Sequence, residues 1–70
     1  VIELTSTEQK VLRLLKTGLT NQQIADEMQL SPHTVKTHVR NMFRKTGVTN
    51  RVVLATRAQE FLDENEGDTR

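Results

Sequence analysis

The sequence predicts an all-α fold, a four-helix bundle-like domain containing a helix-turn-helix. Three observations carry that expectation. Apolar residues recur at three- and four-residue spacing, a capping residue stands ahead of each such stretch, and Gly18 and Gly47 end two of them, with no convincing strand pattern. A chain of 70 residues holds one domain with a small core, which leaves little room for a buried catalytic cleft.

Thr5-Ser6-Thr7-Glu8 reads as a capping box: the Thr5 hydroxyl accepts a backbone N–H while the Glu8 carboxylate reaches back to the cap. The first helix follows, with Val11, Leu12 and Leu15 on its buried face, and Gly18 ends it. Thr20-Asn21-Gln22-Gln23 repeats the box with glutamine in the last position. The second helix is then about two turns long, buries Ile24, Ala25 and Met28, and is stapled by Leu19. Ser31-Pro32 caps the third helix and starts it with a proline whose missing N–H costs nothing there. That helix runs to Thr46, with Gly47 as a left-handed stop. Asn50 or Thr49 caps a fourth helix through Leu62. Ordered helices are thus expected over residues 6–62, and residues 63–70 as an acidic, flexible tail without apolar content.

Composition excludes several function classes. There are no cysteines, so neither a disulfide framework nor a thiolate zinc site is available, which fits a reducing, cytoplasmic setting. No apolar run approaches a membrane span, and Val1-Ile2-Glu3-Leu4 lacks the basic and apolar regions of a secretory signal. The chain does not begin with methionine, which leads us to expect the effector piece of a longer regulator.

The net charge of +1 hides a segregated pattern. No acidic residue lies between Glu27 and Glu60, a stretch that holds Lys36, Arg40, Arg44, Lys45, Arg51 and Arg57. A local cationic field attracts phosphates whatever the charge of the whole chain. By itself the pattern also fits a solvated helix face.

Helical spacing turns this pattern into chemistry. Val35, Val39, Met42, Phe43 and Thr46 share the core-facing side of the third helix. His33, Lys36, Thr37, Arg40, Asn41 and Arg44 share the other, with no carboxylate among them. Arginine and lysine donate to guanine edges, and asparagine and threonine contact other base edges or phosphates, so this face suits major-groove reading. The short helix over residues 21–28, the turn Gln29-Leu30-Ser31 and the basic helix compose a helix-turn-helix. An ordinary helical hairpin would have the same turn length; the caps and the one-sided charge favour DNA.

Leu4-Thr5 with Glu8 and Val11-Leu12, Gly18-Leu19-Thr20-Asn21 with Ile24-Ala25, Ser31 with Thr34-Val35-Lys36, His38 and Lys45, and Gly47-Val48 with Asn50-Arg51 resemble the LuxR-type (NarL/FixJ-like) DNA-binding domain of bacterial response regulators and quorum-sensing activators. The likeness covers residues 4–62. It implies a cytoplasmic transcription regulator, such as the output piece of a two-component system, whose third helix enters the major groove. Carried over by position, it assigns base reading to Lys36, Thr37 and Arg40. His33 and Arg44 flank them, His33 as a DNA contact or a solvated side chain and Arg44 as a base or phosphate contact. Phosphate contacts fall to Thr20, Asn21, Gln22, Ser31, Thr34 and Lys45. The sequence departs from the family pattern at Gln23, usually glutamate, Thr46, usually leucine, Val53, usually polar, and Leu54, usually alanine.

On the fourth helix, Leu54, Ala58 and Phe61 or Leu62 face the core, leaving Val52, Ala55, Thr56 and Gln59 as a second strip. The wheel alone fits a wide core stripe or a partner surface. The resemblance favours a homodimer formed on DNA, with half-sites about 10 base pairs apart or multiples of that.

His33 and His38 are five positions apart, the wrong spacing for two ligands on one helix face, so no metal and no cofactor is expected. Asp26 and Glu27 lie on a surface helix without a supporting pocket, and no nucleophile motif or glycine-rich phosphate loop is present, so no enzyme and no small-molecule site is expected. The expectation is therefore sequence-specific binding of double-stranded DNA for transcription regulation, with RNA polymerase as a further partner. The alternative is a protein-interaction module whose basic helix engages an acidic protein.

Overall fold

The computed structural model describes residues 2–66, the Glu66 side chain excepted. These residues form helices α1 (Ser6–Lys16), α2 (Asn21–Met28), α3 (Pro32–Thr46), α4 (Arg51–Thr56) and α5 (Ala58–Glu66), and no strand. The all-α expectation holds, and the starts of α1 to α4 fall where the capping residues put them.

Both capping boxes form. In the first, Glu8 N–H donates to Thr5 Oγ1 at 3.1 Å while Thr5 N–H donates to Glu8 Oε1 at 2.9 Å. In the second, the corresponding Gln23 and Thr20 bonds are 3.2 and 2.9 Å. Ser31 Oγ accepts from Thr34 N–H at 3.1 Å, and Pro32 occupies the first turn of α3. Asn50 Oδ1 accepts from both Val52 and Val53 N–H, which starts α4.

Helix ends are equally local in origin. Gly47 closes α3 at φ 75°, and Thr46 reinforces it by donating to Met42 O while accepting from Val48 N–H. This explains how a threonine serves there in place of leucine: it satisfies backbone groups of the last turn and the loop. α2 ends on Gln29 in the left-handed region, at φ 58° and ψ 42°. Leu30 N–H reaches Ala25 O at 2.9 Å, and Gln29 N–H reaches Asp26 O, a Schellman closure. A side chain held left-handed costs roughly 1 kcal/mol, which the closure must offset.

α1 lies at the centre and packs against each of the other helices, while α2 packs on α3. Val11, Leu12 and Leu15 meet Ile24 and Ala25 of α2, Val35, Val39 and Met42 of α3, and Leu54, Ala58, Phe61 and Leu62 behind them in one buried cluster. Leu4 and Val48 join it from the flanking segments. Met28 and Phe43, expected in the core, sit at its edge and are only partly buried.

Two expectations need correction. The single helix expected through Leu62 is two helices, broken at Arg57, whose ψ of 6° lies far from the helical value. There the bonding shifts register: Glu60 N–H takes Arg57 O at 3.0 Å, one residue tighter than the α pattern. The helical chain also does not end near Leu62, because α5 continues to Glu66 with Asn65 buried. Asn65 Oδ1 accepts from Leu4 N–H at 2.8 Å, and Asn65 Nδ2 donates to Ile2 O and Phe61 O. The polar tail residue is thus a clasp that satisfies backbone groups of the segment entering α1. The remaining tail expectation, over 67–70, lies outside the described residues.

Candidate nucleic-acid interface

α3 is presented with one face in the core and the other in solvent. Val35, Val39 and Met42 are buried, whereas His33, Lys36, Thr37, Arg40 and Arg44 are all exposed. The three side chains expected at bases and the two that flank them therefore share one surface. His38 is partly buried on the flank, in keeping with a packing role. No carboxylate occurs on α3, and its two ends are held by Ser31 and Gly47.

Within that surface some groups are already oriented. Arg44 Nη2 donates to Asn41 Oδ1 at 2.8 Å, which fixes one edge of the guanidinium fork. Thr37 Oγ1 donates to His33 O at 3.1 Å, so its oxygen lies along the helix and its lone pairs remain available. Lys36 and Arg40 line a shallow depression together with Asn21, Val39, Phe43 and Arg51.

The expected phosphate contacts divide into two groups. Thr20, Asn21 and Gln22 surround the start of α2, and Ser31 and Thr34 the start of α3. Gln22 is exposed, and the Ser31 and Thr34 hydroxyls bond each other at 2.9 Å. Lys45 stands apart from them. Its Nζ lies 2.6 Å from Oε1 of Glu8, a side chain only 3% exposed. Burial raises the Glu8 pKa, but the Lys45 ammonium and the Thr5 N–H and hydroxyl together outweigh it and hold the carboxyl below its ordinary value of 4.5.

Arg51 is the residue whose place the sequence did not reveal. Its Nη1 donates to Asn21 Oδ1 at 2.7 Å and its Nη2 to Leu19 O at 2.8 Å, so the first residue of α4 grips the entry to α2. The one sequence signal is its position: a cation in a first helical turn is disfavoured by the helix dipole and calls for an acceptor elsewhere. Arg57, by contrast, lies over the Phe61 ring at 5.0 Å and reaches Glu60 at 3.5 Å, both on α5.

Also on α4, Val52 is 71% exposed and Val53 is 42% exposed. Thr56 is exposed as well, while Ala55 is half-buried against the core. Gln59 falls beyond the break, on α5. It accepts from Lys16 Nζ and donates to Asp63 Oδ1 at 2.7 Å, so its amide is engaged within the chain.

Residues 3–58 match the family model described as bacterial regulatory proteins, luxR family. The chain belongs to the luxR family. The luxR-family match ends at the first residue of α5, so it spans both helices of the helix-turn-helix and α4 but leaves out Phe61, Leu62 and Asn65. Members of the luxR family are DNA-binding regulators, and this domain is accordingly one that binds DNA and regulates transcription. Among the described residues, no group of three histidines, cysteines or carboxylates could hold a metal, and no helix is long and apolar enough to cross a membrane.

Proposed function

We propose that this domain binds double-stranded DNA sequence-specifically, with α3 in the major groove and two copies arranged on one operator. The observation that carries the reading is the exposed face of α3, where Lys36, Thr37, Arg40, Arg44 and His33 stand together without an acid. α2 then crosses the backbone, and Thr20, Asn21, Gln22, Ser31 and Thr34 lie at the two helix starts where an anion is favoured. Lys45 keeps a 37% exposed side chain while paired to Glu8, and its remaining ammonium donors serve a phosphate.

The strip of Val52, Ala55 and Thr56, with Gln59 at its edge, pairs the two copies. Support comes from the exposure of Val52, a large apolar side chain left uncovered beside small neighbours. Phosphate contacts supply most of the affinity and α3 the discrimination. In the cell the domain acts in the bacterial cytoplasm, as the output piece of a two-component response regulator that contacts RNA polymerase.

Selection of bound sequences from a random duplex pool at physiological salt tests this reading. A two-part motif is expected, with half-sites about 10 base pairs apart or multiples of that. Recovery of no motif, with little salt-sensitive affinity for any duplex, would favour an acidic protein partner for α3 instead.

A further inference from the structure

The Arg51–Asn21 contact has a chemical consequence for the surface beside α3. A guanidinium only donates hydrogen bonds, so the Asn21 atom 2.7 Å from Arg51 Nη1 must be the carbonyl oxygen. The carboxamide cannot rotate end for end without placing an NH2 against a cation. Asn21 Nδ2 has no hydrogen-bond partner among the described residues, and no unpaired side-chain nitrogen or oxygen is buried, so it faces solvent. Asn21 is among the residues that line the depression beside Lys36 and Arg40.

We infer that Arg51 is a positioning residue for DNA binding: it locks the Asn21 amide with its two donors outward, toward a backbone phosphate. Phosphate oxygens accept hydrogen bonds and do not donate, so the opposite orientation of the amide would present a lone pair to an anion. The second arm of the fork, on Leu19 O, fixes the height of the α2 start relative to α4. A bidentate grip of this kind constrains angle as well as distance, which a single ammonium cannot do. Arg51 thereby connects α4, the helix assigned to pairing, with the phosphate-facing end of α2. The inference rests on the DNA-bound arrangement proposed above.

A double-mutant cycle on the intact chain tests it, with duplex affinity measured on a selected operator and on random DNA across a salt series. Asn21→Ala is expected to weaken both duplexes about tenfold, the loss of one hydrogen bond to a charged group. Arg51→Met should produce a similar loss while leaving the salt dependence unchanged, because the guanidinium is not itself a phosphate contact. In the Arg51→Met background, Asn21→Ala should cost less than threefold further, since the amide is no longer held. Arg51→Lys retains the charge and should recover only part of the affinity; it also serves as the first arm of the cycle should Arg51→Met fail to fold, as judged by thermal unfolding. Additive losses in the cycle would overturn the inference, as would a salt slope reduced by about one in Arg51→Met, which would make Arg51 a phosphate contact in its own right. Lys36→Ala and Arg40→Ala in the same assay separate the two readings. If they shift affinity and the cycle is additive, only the role of Arg51 falls; if they too are silent, the placement of α3 falls with it.

Discussion

Lys45 and Glu8 meet at 2.6 Å across 37 positions of sequence, and their contact ties the last turn of α3 to the first turn of α1. Glu8 is also the return half of the Thr5 capping box, so one buried carboxylate both caps α1 and anchors the last turn of α3.

The pair predicts an acid-sensitive domain. The Glu8 carboxyl is held below its ordinary value, so the stability it contributes is present above about pH 4.5 and is lost as pH falls through the lowered folded-state value. Lys45→Met removes the main group that opposes burial; the Glu8 pKa should rise, and acid unfolding should begin at higher pH. A loss of about 1–2 kcal/mol at pH 7 is expected, less than for a fully buried pair because Lys45 is in part solvated. Chemical denaturation at a series of pH values checks this, and identical profiles for the two proteins would remove the ion pair as the cause.

Asn65→Ala should destabilise the fold by roughly 2–3 kcal/mol, since it leaves the Leu4 N–H without its partner in a buried place. Asn65→Asp restores the acceptor but cannot donate to Ile2 O or Phe61 O, and should be intermediate or worse. Amide exchange at Leu4 reads the effect directly. Unchanged protection at Leu4 in Asn65→Ala would exclude the clasp.

Lys36→Ala and Arg40→Ala should narrow the gap between operator and random duplex by about 1–3 kcal/mol each. Competition binding at fixed salt measures the gap. An equal loss on both duplexes would move the residue concerned from bases to backbone.

Val52→Glu should weaken binding to a paired site more than to an isolated half-site, because a carboxylate would be placed in the strip proposed to pair two copies. Val52 is exposed, so the monomer should keep its thermal stability. An unchanged ratio between the two sites would exclude α4 as the pairing surface.

Most of the architecture was legible in the chain because its causes act over three or four residues. The Thr5 and Thr20 boxes, the Ser31-Pro32 start, the Gly47 stop and the exposed set from His33 to Arg44 all depend on groups within one helical turn or one helix face. Likeness to the family pattern marked Val53 as a valine at a usually polar position, and its side chain is 42% exposed.

What the sequence determined, then, is where the first four helices start and which face of α3 carries the charge, since propensity, capping and helical spacing are local. Only the tertiary structure decided how charge and polarity are used. Glu8 finds Lys45, Arg51 finds Leu19 and Asn21, and Asn65 finds Leu4, all partners separated by 30 residues or more. No periodicity encodes such pairs, because they exist only once packing brings distant backbone together and burial makes an unpaired polar group costly. The break at Arg57 has the same character: capping rules see a continuous helix there, and the fold instead turns the chain within one residue, with Leu54 and Ala58 on either side both buried.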